Sequence, residues 1–309
     1  MSDYQLLIHV GYPKAASTWL QYEIFSQEQA GFISPWGPYQ GFTSEQFIIK
    51  NPFRFSPEAV RQVFKPGLYE AYKRGLIPVI SDELLMSDHV NNRYWTKEVA
   101  DRLCAVFPKA RILIFIREQK SMIKSSYGQY LIGAGNVTIR QYIIGSSKSR
   151  RLGLGAICRL DHLEYDLPIK YYQNLFGIDN VLVLPMELLK IDQQAVTQKI
   201  INFAGAKVIP IQSHLRRNIG IKGVTFAVRR HLNIFCTHPS SSSLGRLAWN
   251  IVGKLTRIIE WVTPQFIHNK VEKRLEQTIA EQVGNYFRDS NQRTSQLIGI
   301  NLAERGYDC

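Results

Sequence analysis

Four short apolar runs are spaced along the first two thirds of the chain: YQLLIHV at 4–10, IPVI at 77–80, ARILIFI at 110–116 and NVLVL at 180–184. None alternates strictly between polar and apolar residues. Each therefore reads as a strand covered on both faces, the condition of a parallel sheet. Helix-like patterns lie between them, in STWLQYEIFSQ, TKEVADRLCAVF and VTQKIINFAG. Strands alternating with helices imply βαβ units with right-handed crossovers, and so an α/β fold with a parallel sheet flanked by helices.

The intervening segments are less regular. Residues 31–60 are rich in Gly, Pro, Phe and Ser and read as an irregular insertion after the first helix. Residues 145–156, GSSKSRRLGLGA, read as a flexible basic loop. Beyond about residue 215 the strand signal fades into a mostly helical part, with the serine run at 240–243 as a loop. The expected organisation is one domain over 1–309, with a core over 1–210 and a helical C-terminal extension over 211–309.

Composition narrows the setting. The net charge of +13 points to anionic company, among nucleotides, acidic glycans, nucleic acid or a membrane surface. The four cysteines, at 104, 158, 236 and 309, are scattered, form no C-x-x-C pair and have no metal spacing. They suit reduced thiols in a cytoplasmic protein, and no metal is expected. The N-terminus lacks the basic and apolar regions of a signal peptide. No stretch reaches the ~18 uncharged apolar residues of a membrane helix. Leu247 to Val262, LAWNIVGKLTRIIEWV, is broken by Lys254, Arg257 and Glu260 and reads as an amphipathic helix with its apolar side toward the core.

The first apolar run leads into HVGYPKAASTW, a strand, a tight loop and a helix start. Such a loop is an anion site, because unpaired backbone N–H groups and the helix dipole both favour negative charge. Lys14 adds a full positive charge, and Ser17 and Thr18 add hydroxyls. One hydroxyl is expected to cap the helix, the other to donate to a phosphate-like oxygen. The usual nucleotide loop G-x-x-x-x-G-K-[ST] is absent, since Lys14 precedes the hydroxyl pair by three residues. The third run ends in FIREQKSMIKSSYGQY, which puts Arg117 just past a strand and Ser125 eight residues on. An Arg fork and a hydroxyl about two helical turns apart suit a terminal phosphate, with Ser126 as an alternative to Ser125.

The loop Tyr12-Pro13-Lys14-Ala15-Ala16-Ser17-Thr18-Trp19 resembles the 5′-phosphosulfate loop of sulfotransferases, commonly Y-P-K-S-G-T-T-W. The Arg117–Ser125 pair matches the spacing with which that family holds the 3′-phosphate of its donor. Leu163 to Asp192 is similar to its helix–strand–Glu segment, and Phe287 to Tyr307 to the C-terminal end of bacterial glycan-type members. The resemblance is densest over 4–30, 76–130 and 160–205. It implies a P-loop-like parallel sheet, the donor 3′-phosphoadenosine 5′-phosphosulfate (PAPS) and its product PAP. It also implies a hydroxyl or amine acceptor, as of a carbohydrate or glycolipid. One departure is Ala16, where the family often has glycine; a Cβ there implies a residue with no need of positive φ.

The resemblance assigns further roles. Lys14 would stabilise the leaving phosphate, with Ala15, Ala16, Ser17 and Thr18 lining the donor. Trp19 would stack on adenine, unless it is a core residue of the helix. The general base would be Glu83, the first Glu after the IPVI strand, with His89 as rival and Asp82 and Asp88 as neighbours. Lys222, in RRNIGIKG, would match a late basic residue on the 3′-phosphate, unless that turn is merely solvated. Two other classes compete. A P-loop kinase or NTPase would need a Lys-Ser/Thr pair and an acidic Mg²⁺ ligand at a strand end. A non-enzymatic binder of anionic glycan or nucleic acid would rest on charge alone, and aromatic–basic strings and zinc-finger spacings for nucleic acid are absent.

Overall fold

A computed structural model describes residues 5–37, 40–145, 155–206, 221, 223–235 and 243–309. The apolar runs are strands: β1 (Leu7–His9), β3 (Ile77–Ser81), β4 (Arg111–Ile116) and β5 (Val181–Pro185). A further strand, β2 (Phe32–Ile33), lies inside the segment expected to be irregular. At two residues it is too short to carry any period, and neighbouring backbone places it: Ile77 donates to the Gly31 carbonyl at 2.7 Å. The same segment also holds a short helix, Gln40–Ser44. The sheet is wholly parallel, in the order β2-β3-β1-β4-β5. Leu7 pairs with Val79 on one side and Arg111 on the other.

β1, β3 and β4 are buried along nearly their whole length, which explains their uniformly apolar sequences. Both faces are covered by helices. The principal ones are α1 (Ser17–Trp19), α2 (Pro57–Lys73), α3 (Thr96–Val106), α4 (Gln119–Ile132), α5 (Asp166–Phe176) and α6 (Gln193–Ala204). Local chemistry sets their starts. Ser56 accepts from Ala59 N with Pro57 following, and Asp192 accepts from Ala195 N. The chain leaves β1 toward β3 and β2, but leaves β4 toward β5. Loops after β1 and β4 therefore diverge and open a crevice at the carboxyl ends of these neighbouring strands.

The C-terminal part is helical, with α7 (Val224–Leu232), α8 (Ser243–Val262), α9 (Gln265–Val283) and α10 (Arg288–Ile298). Its last helix is tied to the core through side-chain amides. Gln119 Nε2 donates to Asn291 Oδ1 at 2.6 Å, and Asn291 Nδ2 donates to the Asp308 carbonyl at 2.8 Å. The expectation that α8 turns its apolar side to the core is overturned. Leu247, Ile251, Leu255, Ile258, Trp261 and Val262 are exposed, while Val252 and Thr256 are buried and Trp249 Nε1 donates to the Ile132 carbonyl at 2.7 Å. The helix packs through a face of small and medium side chains, and its larger aliphatic stripe is left outward.

The basic loop expected over 145–156 lies mostly outside the described residues, as does the serine run before Ser243. Cys104, Cys158 and Cys309 are free thiols; Cys236 lies outside the described residues. Among the described residues, no helix is long and apolar enough to cross a membrane.

Candidate active site

β1 ends at His9, and the chain turns through 11–16 before α1 begins at Ser17. The loop passes directly over the buried His9 ring, since a Cβ on Gly11 would lie 2.4 Å from His9 Nε2. Lys14 and Ala16 both have positive φ, at 72° and 64°. Ala16 thus departs from the ordinary backbone expected of it. Swinging the strand round into the helix takes two left-handed residues, at a cost of roughly 1–2 kcal/mol for each that carries a Cβ. Ala16 is itself the N-cap and no side chain caps α1, contrary to the expected capping hydroxyl. Ser17 is buried, Thr18 is exposed, and the helix continues as a π-helical turn over Leu20–Ile24. Trp19 is 5% exposed and packs in the core, so it presents no free face to a base.

β4 ends at Ile116, and the next residue reaches across the crevice. Arg117 Nη1 donates to the Lys14 carbonyl at 3.0 Å, and its Nε donates to Ser121 Oγ at 2.7 Å. A cage of partners fixes the backbone around it. Tyr165 Oη donates to the Arg117 carbonyl at 2.6 Å, and Glu118 N donates to Glu187 Oε1 at 3.1 Å. Tyr307 Oη donates to Glu187 Oε2 at 2.9 Å. Glu118 accepts from Lys120 N and Ser121 N and so caps α4. Burial lowers the Arg117 guanidinium, with Glu187 foremost among the groups opposing the shift. Sequence reading did not assign roles to Glu187, Tyr165 or Tyr307. Glu187 carried a signal as the Glu of the helix–strand–Glu segment, but its long-range tyrosine partners carried none.

The segment after β3 folds back toward Lys14. Asp82 is buried, accepts from Ser44 Oγ at 2.7 Å and from Leu84 N at 2.9 Å, and so caps the 3₁₀ turn Glu83–Leu85. Asp88 is occupied by Asn91 Nδ2. Glu83, the first residue of this turn, is partly buried. Burial raises its carboxyl above the usual range, the Ser17 hydroxyl and Lys14 ammonium oppose the shift, and Asp88 adds to it. His89 also returns to the crevice, but its ring is wholly buried. Its Nε2 shares a hydrogen bond of 2.8 Å with Ser126 Oγ, and its Nδ1 has no partner. Burial, helped by Lys14, lowers the imidazole to about 4, so it is neutral at neutral pH. Lys14 donates to Gln129 Oε1 at 3.4 Å; burial lowers its ammonium, Glu83 opposes and Arg117 adds.

Lys14 and Arg117 border a cavity of ≈ 1110 Å³ whose lining also takes in Lys120, Lys124, Ser125 and Gln129 but not Glu83 or His89. Arg117 and Ser125 thus line the same cavity. Ser126 faces the other way, toward His89. Lys120 and Lys124, not singled out from sequence, also line it, Lys120 paired with Asp308 and Lys124 with Glu272 and Glu276. Lys222 lies outside the described residues. Its neighbour Ile221 lines the cavity, and Gly223 N donates to Glu272 Oε1 at 3.1 Å.

A search of solved structures matches this fold to the crystal structure of a sulfotransferase from Alicyclobacillus acidocaldarius. The match covers 99% of this chain and 100% of that one, at a TM-score of 0.56 and 15% sequence identity. The chain has a sulfotransferase-type fold. The sulfotransferase domain of the Synechococcus PCC 7002 olefin synthase superposes more loosely, at a TM-score of 0.38 and 12% identity over 85% of this chain and 98% of that one. No protein-family model matches the chain, and no curated protein does. Among the described residues, no group of three or more His, Cys, Asp or Glu side chains is placed to hold a metal ion. At this identity the likeness defines the fold, and the chemistry must be argued from the site.

Proposed function

We propose that the chain is a PAPS-dependent sulfotransferase, folded as one domain over 1–309, that moves a sulfuryl group to an acceptor hydroxyl or amine. The observation that carries this reading is the Arg117–Lys14 junction. Two separately encoded cationic positions, one after β1 and one after β4, meet across the crevice of the sheet. A ligand with phosphates at both ends of a nucleoside suits that division. The cavity of ≈ 1110 Å³ is slightly larger than the ~300–1,000 Å³ typical of ligand pockets, roomy enough for such a donor.

In the reaction, the acceptor oxygen or nitrogen attacks sulfur, and the bond from sulfur to the bridging oxygen of the 5′-phosphate breaks. The electron pair stays on that oxygen as PAP leaves. Lys14 neutralises the charge that develops there, and backbone N–H groups of Ala16 to Thr18 orient the phosphate, while the Ala15 N–H is spent on the Tyr12 carbonyl. Arg117 and Ser125 hold the 3′-phosphate. The acceptor proton passes to Glu83. Its raised carboxyl is a stronger base than an ordinary carboxylate, and it is only partly buried whereas His89 is wholly buried and held by Ser126. No step requires a metal. A glycan or glycolipid acceptor suits the basic surface of a chain with net charge +13.

The test is conversion of PAPS to PAP in the presence of acceptor panels of oligosaccharides, glycolipids and simple alcohols. Acceptor-dependent PAP release with a sulfated product supports the reading. Phosphoryl transfer from ATP with Mg²⁺, with no PAP release on any acceptor, would replace it by the kinase reading.

A further inference from the structure

The outward stripe of α8 is left unexplained by the nucleotide site. Leu247, Ile251, Leu255, Ile258 and Val262 recur at intervals of four, four, three and four residues, so they share one side of the helix. All are exposed, Leu247 and Ile258 at 57% each, and Trp261 beside them at 87%. A continuous aliphatic stripe ending in a bare tryptophan is more than the scattered apolar exposure of an ordinary surface. The inward side of the helix is already satisfied by buried Val252 and Thr256 and by the Trp249 bond to Ile132.

Charge says what would cover the stripe. Arg246, Lys254 and Arg257 are exposed on the same helix, against one acid, Glu260. On a 3.6-residue wheel the two arginines lie off one edge of the stripe, and Lys254 falls between them and that edge. Past the turn, Phe266 is 69% exposed and borders a shallow depression with Lys270, Lys273 and Arg274. Aliphatic and aromatic side chains bordered by lysine and arginine match the boundary of an anionic lipid leaflet, acyl region inward and headgroups around it. The helix lacks the apolar length to span a bilayer, so it would lie along the surface.

We propose that α8 docks this protein on anionic membrane surfaces. Glu260 and Trp261, at the end of the helix, also line the cavity that holds Lys14 and Arg117. Docking therefore turns the cavity rim toward the lipid headgroups. The docking itself does not rest on the nucleotide or the reaction assigned above.

Co-sedimentation of the full chain tests it, using vesicles of phosphatidylcholine alone and with phosphatidylglycerol at about one third of the lipid. The expected result is partition onto the anionic vesicles at least about tenfold above the neutral ones, weakening as salt rises. Ile251→Glu with Ile258→Glu, both at exposed positions, should abolish partition while circular dichroism and the melting midpoint stay those of the parent. Lys254→Glu with Arg257→Glu should remove the preference for anionic lipid. Absence of partition by the parent chain, or unchanged partition by the Ile251/Ile258 variant, would overturn the proposal. So would a parent dimer in light scattering that this variant converts to monomer, since a second copy would then be what covers the stripe.

Discussion

Arg117 Nη1 donates to the main-chain carbonyl of Lys14 at 3.0 Å, joining two positions 103 residues apart in sequence. The bond bridges the crevice between β1 and β4 and sets the spacing between the two proposed phosphate positions. Arg117→Ala should therefore weaken PAP binding by roughly 2–4 kcal/mol, the scale of removing one partner of a buried charged contact. Adenosine 5′-phosphosulfate, which has no 3′-phosphate, should lose much less. Arg117→Lys should not restore PAP affinity, because an ammonium cannot reproduce the fork that serves Lys14, Ser121 and a phosphate together. Calorimetric titration of both ligands reads the difference, and equal losses would remove Arg117 from the 3′-phosphate.

The base is separable from the donor site. Glu83→Gln keeps the side-chain shape but cannot take the acceptor proton. Turnover should fall ~10²–10⁴-fold while PAP affinity stays close to the parent's. Because burial raises the Glu83 carboxyl, the activity of the parent should rise with pH through a midpoint above the ordinary carboxylate range, and that limb should vanish in the variant. Paired calorimetry and transfer rates decide it. A His89→Ala variant that is inactive beside a near-normal Glu83→Gln would move the role to the histidine.

The buried histidines make the fold acid-labile. His89 is lowered to about 4 and His9 to about 3, in both cases mainly by burial. The unfolded chain takes up these protons as pH falls past about 6.5, while the native state resists until pH reaches about 4 and 3, so native stability drops across that window. His89 alone accounts for up to ~3 kcal/mol. Urea unfolding at pH 7 and pH 5 should show the loss, and His89→Gln should make the slope shallower but not flat, since His9 remains. An unchanged slope would mean that His89 is not buried and neutral.

Two neighbouring loop positions should respond oppositely to a change between alanine and glycine. Gly11→Ala drives a Cβ to 2.4 Å from His9 Nε2 and should destabilise by ~1–3 kcal/mol, as overpacking does. Ala16→Gly relieves a left-handed alanine at φ 64°. Its gain is partly offset by the freer unfolded chain, so the melting midpoint should hold or rise by the equivalent of ~1 kcal/mol or less. Melting curves of the two variants check both signs.

Much of this was legible because strand ends are local. Lys14 and Arg117 each follow an apolar run directly, and in an open parallel sheet such positions gather at the crevice. β2 was hidden because Phe32–Ile33 is held by its neighbours and not by any pattern of its own. The positive φ of Ala16 follows from the path of the loop, which residue type alone does not reveal. The period of α8 announced an amphipathic helix, but periodicity cannot say which side meets the protein. Nor could it show that Tyr307, near the end of the chain, would brace Glu187 behind Arg117.

The central claim is that the paired cationic positions select a nucleotide with phosphates on both its 3′ and 5′ oxygens. Calorimetric titration of the unmodified protein with PAP, 5′-AMP and ATP with Mg²⁺ tests it most directly. The expected result is PAP binding at least about tenfold tighter than either of the others, since one more phosphate contact of ~1.4 kcal/mol accounts for that factor. ATP with Mg²⁺ binding as tightly as PAP, or tighter, would contradict it.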